Sequence, residues 1–220
     1  MEGRVITTEM IAEFKDHLIL EERSAATIQK YIRDVKAFAE YARLCQAAQR
    51  RHNERLNLIL QTICGTGIRV SELQFITVEA AKCGEAVVRC KGKTRTVFLV
   101  KSLRQKLLRY AAKQNIQSGM IFVTRTGKPI SRTNIWREMK ALCVEADVNP
   151  QKVFPHNLRH LFARVFYGIE KDIAKLADIL GHSSINTTRI YNLHRHGTPP
   201  PDGNYAPDPM KKAAHSAAGT

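Results

Sequence analysis

Apolar residues recur at helical spacing through most of the chain. Thr8 is placed to cap a first helix whose apolar face is Ile11, Phe14 and Leu18. Ser24 is placed to cap a second, with Ile28, Tyr31, Val35 and Phe38 on one side. The helical pattern continues from about 41 to 63 through Leu44, Leu56, Leu60 and Ile63, and Gly65 and Gly67 are expected to end it. A short helix restarts through Arg69, Glu72 and Leu73. The period then changes to that of strands. Residues 87–89 and 96–100 flank Lys91-Gly92-Lys93-Thr94, which predicts a hairpin with a basic tip. Further helices are predicted over 103–112, 131–146, 156–166 and 172–180, with a stop at Gly181 and a last helix over 186–191. The fold class is therefore mainly α with a small antiparallel β-hairpin or three-stranded sheet, an α+β arrangement.

Charge narrows the partners. The 220 residues carry 35 Lys plus Arg against 20 Asp plus Glu, a net charge of +15. So one-sided a balance points to a polyanion, with nucleic acid first. Five cysteines at wide spacing (Cys45, Cys64, Cys83, Cys90, Cys143) match no zinc pattern and suit free thiols in a reducing cytosol. No apolar run has the length of a membrane span. After position 193 the composition shifts: five of the eight prolines stand at 199–201, 207 and 209. Residues 194–220 are expected to be a disordered tail.

Against that background a few polar residues form a chemical set. His182 and Tyr191 are nine positions apart (191 − 182) in LGHSSINTTRIY. Arg69 stands in GTGIRVSEL, and His156 and Arg159 share one helical face in HNLRH. Cleaving a DNA phosphate builds charge on its non-bridging oxygens, which guanidinium groups match as planar, permanent cations. Arg69 and Arg159 suit that role, and Glu72, three residues on, can hold Arg69. A phenol with a pKa of about 10 needs cationic neighbours or a base to attack at neutral pH. Tyr191 is the candidate nucleophile. The leaving 5′-oxygen needs a proton, and Lys91 or Lys93 on the hairpin could deliver it. Taken singly these residues have ordinary readings: surface arginines, a capping histidine, a half-buried tyrosine, a hairpin touching DNA backbone. Their order and spacing make the set specific.

GTGIRVSEL, VVRCKGKTRTVFL, HNLRHLFA and LGHSSINTTRIY together resemble the tyrosine recombinase family, also called phage integrases. The resemblance covers about 40–193. It implies that Arg69 and Arg159 clamp the phosphate and that His156 and His182 assist there and in proton transfer. Lys91 best matches the family's hairpin lysine, with Lys93 the alternative. Tyr191 would become linked to a 3′-phosphate and release a 5′-hydroxyl, which later rejoins DNA without ATP. The expected partner is double-stranded DNA, bound by a tetramer on two duplexes. Neither metal nor cofactor is expected, and the location expected is cytoplasmic, on the nucleoid. Two departures stand out. Residues 1–39 resemble only the first two helices of the family's core-binding domain, which reads as a shortened region. A proline-rich stretch also stands where a helix normally packs on a neighbouring subunit. The chain is thus expected to be monomeric alone and impaired in full strand exchange. The competing readings are a type IB topoisomerase-like nicking-closing enzyme and a non-catalytic DNA-binding remnant.

Overall fold

The computed structural model describes residues 6–90, 92–182 and 184–189. The chain opens with α1 (Thr8–Leu20) and the long α2 (Ala25–Arg50). Thr7, not Thr8, caps α1: its side chain accepts from the Met10 amide, and Thr8 is already helical. Ser24 caps α2 as expected, through the Thr27 amide. The expected run over 41–63 is two helices, because the chain turns at 51–53. His52 adopts φ +53, and the Asn53 side chain caps α3 (Glu54–Thr66) by accepting from the Leu56 amide. Asn is a strong N-cap whose signal lay inside the apolar periodicity.

Gly65 lies within α3, and Gly67 alone closes it, at φ +66. A Cβ there would meet the Phe162 ring at 2.5 Å and Leu180 at 2.9 Å, so both conformation and packing require glycine. The restart is a 3₁₀ turn, Val70–Phe75, with Arg69 at its N-cap. A helix not anticipated, α4 (Val78–Cys83), follows. Capped by Thr77 and closed by Gly84, it is too short to show a period.

β1 (Glu85–Cys90) and β2 (Lys93–Phe98) then pair antiparallel, Ala86 facing Val97 and Val88 facing Arg95. Among the described residues the sheet has two strands, so the hairpin alternative stands. Alternation sets its faces: Ala86, Val88 and Val97 are buried, whereas Val87 and Phe98 are exposed. The remaining helices are α5 (Lys101–Lys113), α6 (Arg132–Leu142), α7 (Pro155–Glu170), α8 (Ile173–Leu180) and α9 (Ile185–Arg189). The final turn of the expected last helix and the tail at 194–220 lie outside the described residues.

The main core gathers Leu56, Ile59, Leu60 and Ile63 of α3 with Leu107, Ile121, Phe122, Ile135 and Met139. A smaller cluster joins Ala163 of α7 to Leu176 and Leu180 of α8. α3 packs on α2, α5 and α7, and α8 touches α7, α9 and β2. α2 crosses position 39/40 without a break. Asp34 of this helix pairs with Arg164 of α7 at 2.8 Å. Among the described residues, no helix is long and apolar enough to cross a membrane.

Candidate active site

The polar centre is built on the C-terminal end of α8. A helix leaves its last carbonyls without intrahelical donors. Here the chain folds back, and the amides of Gly181 and His182 bond to the carbonyls of Asp178 and Ala177 at 3.0 and 2.9 Å. The next three carbonyls each take an arginine from a different element. Arg95 of β2 donates to Ile179 O at 2.7 Å, Arg159 of α7 to Leu180 O at 2.6 Å, and Arg69 to Gly181 O at 3.4 Å. The helix dipole adds negative potential at this end, which draws the cations together. Gly181 turns the corner at φ +64. A Cβ there would strike the Arg95 side chain at 2.6 Å.

Arg159 is the floor. It is 2% exposed, sits between Leu158 of the main core and Ala163 of the smaller one, and also donates to Gly67 O at 2.5 Å. Arg69 forms the rim, with its side chain 36% exposed. Glu72 lies almost wholly buried between two guanidinium groups. It receives Arg69 Nη1 at 2.8 Å, the Arg69 amide at 2.9 Å and Arg95 Nη2 at 2.5 Å. Burial alone would raise its carboxyl pKa. The hydrogen bonds from Arg69 and the charges of Arg95 and Arg69 outweigh that and leave it below the ordinary value.

His182 projects into this group. Its Nε2 lies 3.1 Å from Arg159 Nη2, which can only donate, so Nε2 accepts. Nδ1 then carries the proton and donates to Thr188 Oγ1 at 2.8 Å. Burial, then the charges of Arg159, Arg69, Arg95 and His156, push the imidazole down to about 4. His156 stands at the open side of the site, at the start of α7. Desolvation by the surrounding protein, then Arg159, Arg69 and Arg132, hold it below its usual value. Arg69, Glu72, His156, Arg159 and His182 therefore come together as the spacing suggested. Lys91 and Tyr191 lie outside the described residues. Lys93 takes part through its backbone, opposite Cys90.

Sequence reasoning missed two residues. Arg95 had a readable signal: alternation places it on the same face as buried Val97. Thr188, fully buried on α9, stands three residues before position 191 and could have been flagged as the inward side of that helix.

Comparison with known proteins then decides the family. The sequence pattern described as the phage integrase family matches residues 36–197. The chain belongs to the phage integrase family. Among curated relatives of this integrase, tyrosine recombinase XerH of Campylobacter jejuni is 35% identical over 145 residues, covering 62% of the chain and 40% of the relative. Tyrosine recombinase XerC of Erythrobacter litoralis is 30% identical over 174 residues, covering 75% and 56%. The chain thus spans about half the length of the curated relatives it matches. The integrase fold also matches solved structures. A XerA recombinase crystal structure aligns at TM-score 0.60 and 23% identity, over 100% of this chain and 86% of that one. XerH bound to its difH substrate aligns at 0.60 and 20%, over 81% and 52%. Such a likeness establishes the fold.

Proposed function

We propose that this integrase breaks and rejoins double-stranded DNA site-specifically, with Tyr191 as nucleophile. The observation that carries the reading is the surplus of cationic groups at the end of α8. Among the described residues, Arg69 and Arg159, with His156 and His182 beside them, gather near one carboxylate, Glu72, which pairs with Arg69 and with Arg95. A backbone phosphate suits such a cluster, in the geometry that guanidinium groups match.

In the proposed step the Tyr191 oxygen attacks phosphorus and the P–O5′ bond breaks. Arg69 and Arg159 stabilise the charge that develops on the non-bridging oxygens. The phenolic proton leaves to a neighbouring base, for which neutral His182 and His156 are the candidates, and Lys91 protonates the departing 5′-oxygen, with Lys93 the alternative. The products are a 3′-phosphotyrosine and a 5′-hydroxyl. Return attack by a 5′-hydroxyl reverses the chemistry, so the phosphodiester energy is conserved without ATP.

Several supports bear on the larger assembly. Relatives bear the name tyrosine recombinase, and solved neighbours include XerH in pre- and post-cleavage complexes with difH substrate and a Tn1549 transposon integrase with transposon right end DNA. We therefore take integration or excision of a mobile element as the biological setting, with action on the nucleoid in the cytoplasm. Residues 40–193 form the catalytic unit, and 1–39 the start of a helical DNA-clamping unit. The chain is taken to be monomeric in solution and to act as a tetramer on two duplexes. Light scattering with and without DNA checks the assembly.

The decisive experiment is adduct trapping. A nicked suicide substrate, from which the 5′ fragment escapes, is incubated with the protein and resolved under denaturing conditions. The wild type forms a covalent adduct that peptide mapping places on Tyr191, whereas Tyr191→Phe binds DNA and forms none. An undiminished adduct with Tyr191→Phe overturns the assignment. A two-site recombination assay beside it separates strand exchange from simple nicking and closing.

A further inference from the structure

Arg95 is an arginine at the site for which phosphate chemistry gives no role. It stands on the inner face of β2, opposite Val88, with its side chain 11% exposed. One end of its guanidinium fork reaches Glu72 Oε2 at 2.5 Å, and the other reaches Ile179 O at 2.7 Å. The stem lies across Gly181, the residue before His182. Three segments distant in sequence therefore meet on one side chain: the 3₁₀ turn after Arg69, the hairpin and the end of α8. A guanidinium group spans two acceptors at fixed angles, which a lysine cannot do.

We propose that Arg95 is a positioning residue, a bracket that keeps Glu72 against Arg69 and the Gly181–His182 corner against the hairpin, so that Arg69 and His182 stay aimed at one point. It acts through these neighbours and does not itself hold DNA. Without it, Glu72 loses one of its two charged partners and Ile179 O loses its donor. Arg69, at the rim, then has a carboxylate free to move with it. Misplacement by about 1 Å at a reacting centre costs about a hundredfold in rate, which bounds the expected effect.

This inference rests on the DNA-cleaving reading, and its test separates the two. Single-turnover adduct formation on the suicide substrate is measured for Arg95→Ala, Glu72→Ala and the double variant. Arg95→Ala slows it about 10- to 100-fold, while DNA affinity and its salt dependence stay at the wild-type level. In the Glu72→Ala background the same change costs less than about threefold, because the two act as one unit. Effects that multiply, as for a merely structural arginine, overturn the proposal. Arg95→Lys keeps the charge and is the milder fold perturbation; it matches Arg95→Ala in rate, and full activity in it also overturns the proposal. Hydrogen exchange in the DNA-free protein provides an arm that needs no cleavage. Arg95→Ala speeds exchange over 69–73 and 179–182 but not over 56–63, and unchanged exchange in both segments sinks the bracket. If the wild type itself forms no adduct, the functional reading fails, and the bracket stands or falls on exchange alone.

Discussion

Around the end of α8, three arginines from three elements are fixed by backbone carbonyls and one buried carboxylate, and Arg159 is 2% exposed. At the other extreme α1 buries Leu18 and leaves Met10, Ile19 and Leu20 exposed. Both regions are rich in charge, but the charges do different things. On α1 they are solvated, and an exposed contact such as His17–Glu21 contributes at most about 1 kcal/mol. At α8 Arg159 and Glu72 have been taken out of water, where each needs a partner with good geometry, and Arg69 stays at the rim. Arg159 stands on α7 between Leu158 of the main core and Ala163 of the smaller cluster.

The largest break in that contrast comes from Arg159→Ala. It leaves Gly67 O and Leu180 O without a donor, which costs about 1–3 kcal/mol for each such buried group. It also slows cleavage by about two orders of magnitude or more. Lys15→Ala on α1 changes stability by no more than about 0.5 kcal/mol. Urea unfolding and adduct rates measure both; a near-silent Arg159→Ala contradicts the account. Next in size is the core itself. Ile59 of α3 is wholly buried, and Ile59→Ala costs about 3 kcal/mol, whereas Leu18→Ala stays near or below about 2 kcal/mol because its thin surroundings can collapse. Equal costs in urea titrations mean that α1 is packed as firmly as α3.

The third handle is pH. His182 resists protonation in the folded state, so the unfolded chain takes up the proton first, at about pH 6.5. Stability therefore falls as pH drops from about 6.5 toward the folded value of about 4, and levels off below it. His182→Asn should flatten this slope in unfolding measured across that window. An unchanged slope removes His182 as its source.

How much of this was legible depended on the range of each interaction. Helices with caps and a full apolar face could be read because both signals are local: Ser24 at α2 and Gly181 after α8 are cases in point. The break at His52–Asn53 was hidden, since α2 and α3 carry apolar residues in a nearly continuous phase. α4 was too short for any periodicity. In the site, Arg69, Glu72, His156, Arg159 and His182 could be named from spacing, and Glu72 could be matched to Arg69 as a neighbour on the turn. The second partner of Glu72 could not be foreseen, because Arg95 arrives from a strand 23 residues on. Nor does sequence spacing reveal that three arginines share the last carbonyls of one helix. That follows from how α8 docks on β2 and α7.

On the proposed reading, the end of α8 receives a DNA phosphate. The ring protons of His182, followed by NMR through a pH titration, test it most directly. Tyr191→Phe protein is used free and bound to uncleaved duplex, so that no chemistry intervenes. In the free protein His182 should titrate far below the ordinary histidine value, near 4. With DNA bound, a phosphate among Arg69, Arg159 and His182 should add negative charge and raise that midpoint by at least one unit, since an opposite charge within a few ångströms shifts a pKa by about one to three units. An unchanged midpoint on saturated, tightly bound DNA would contradict the account, because the phosphate would then lie elsewhere.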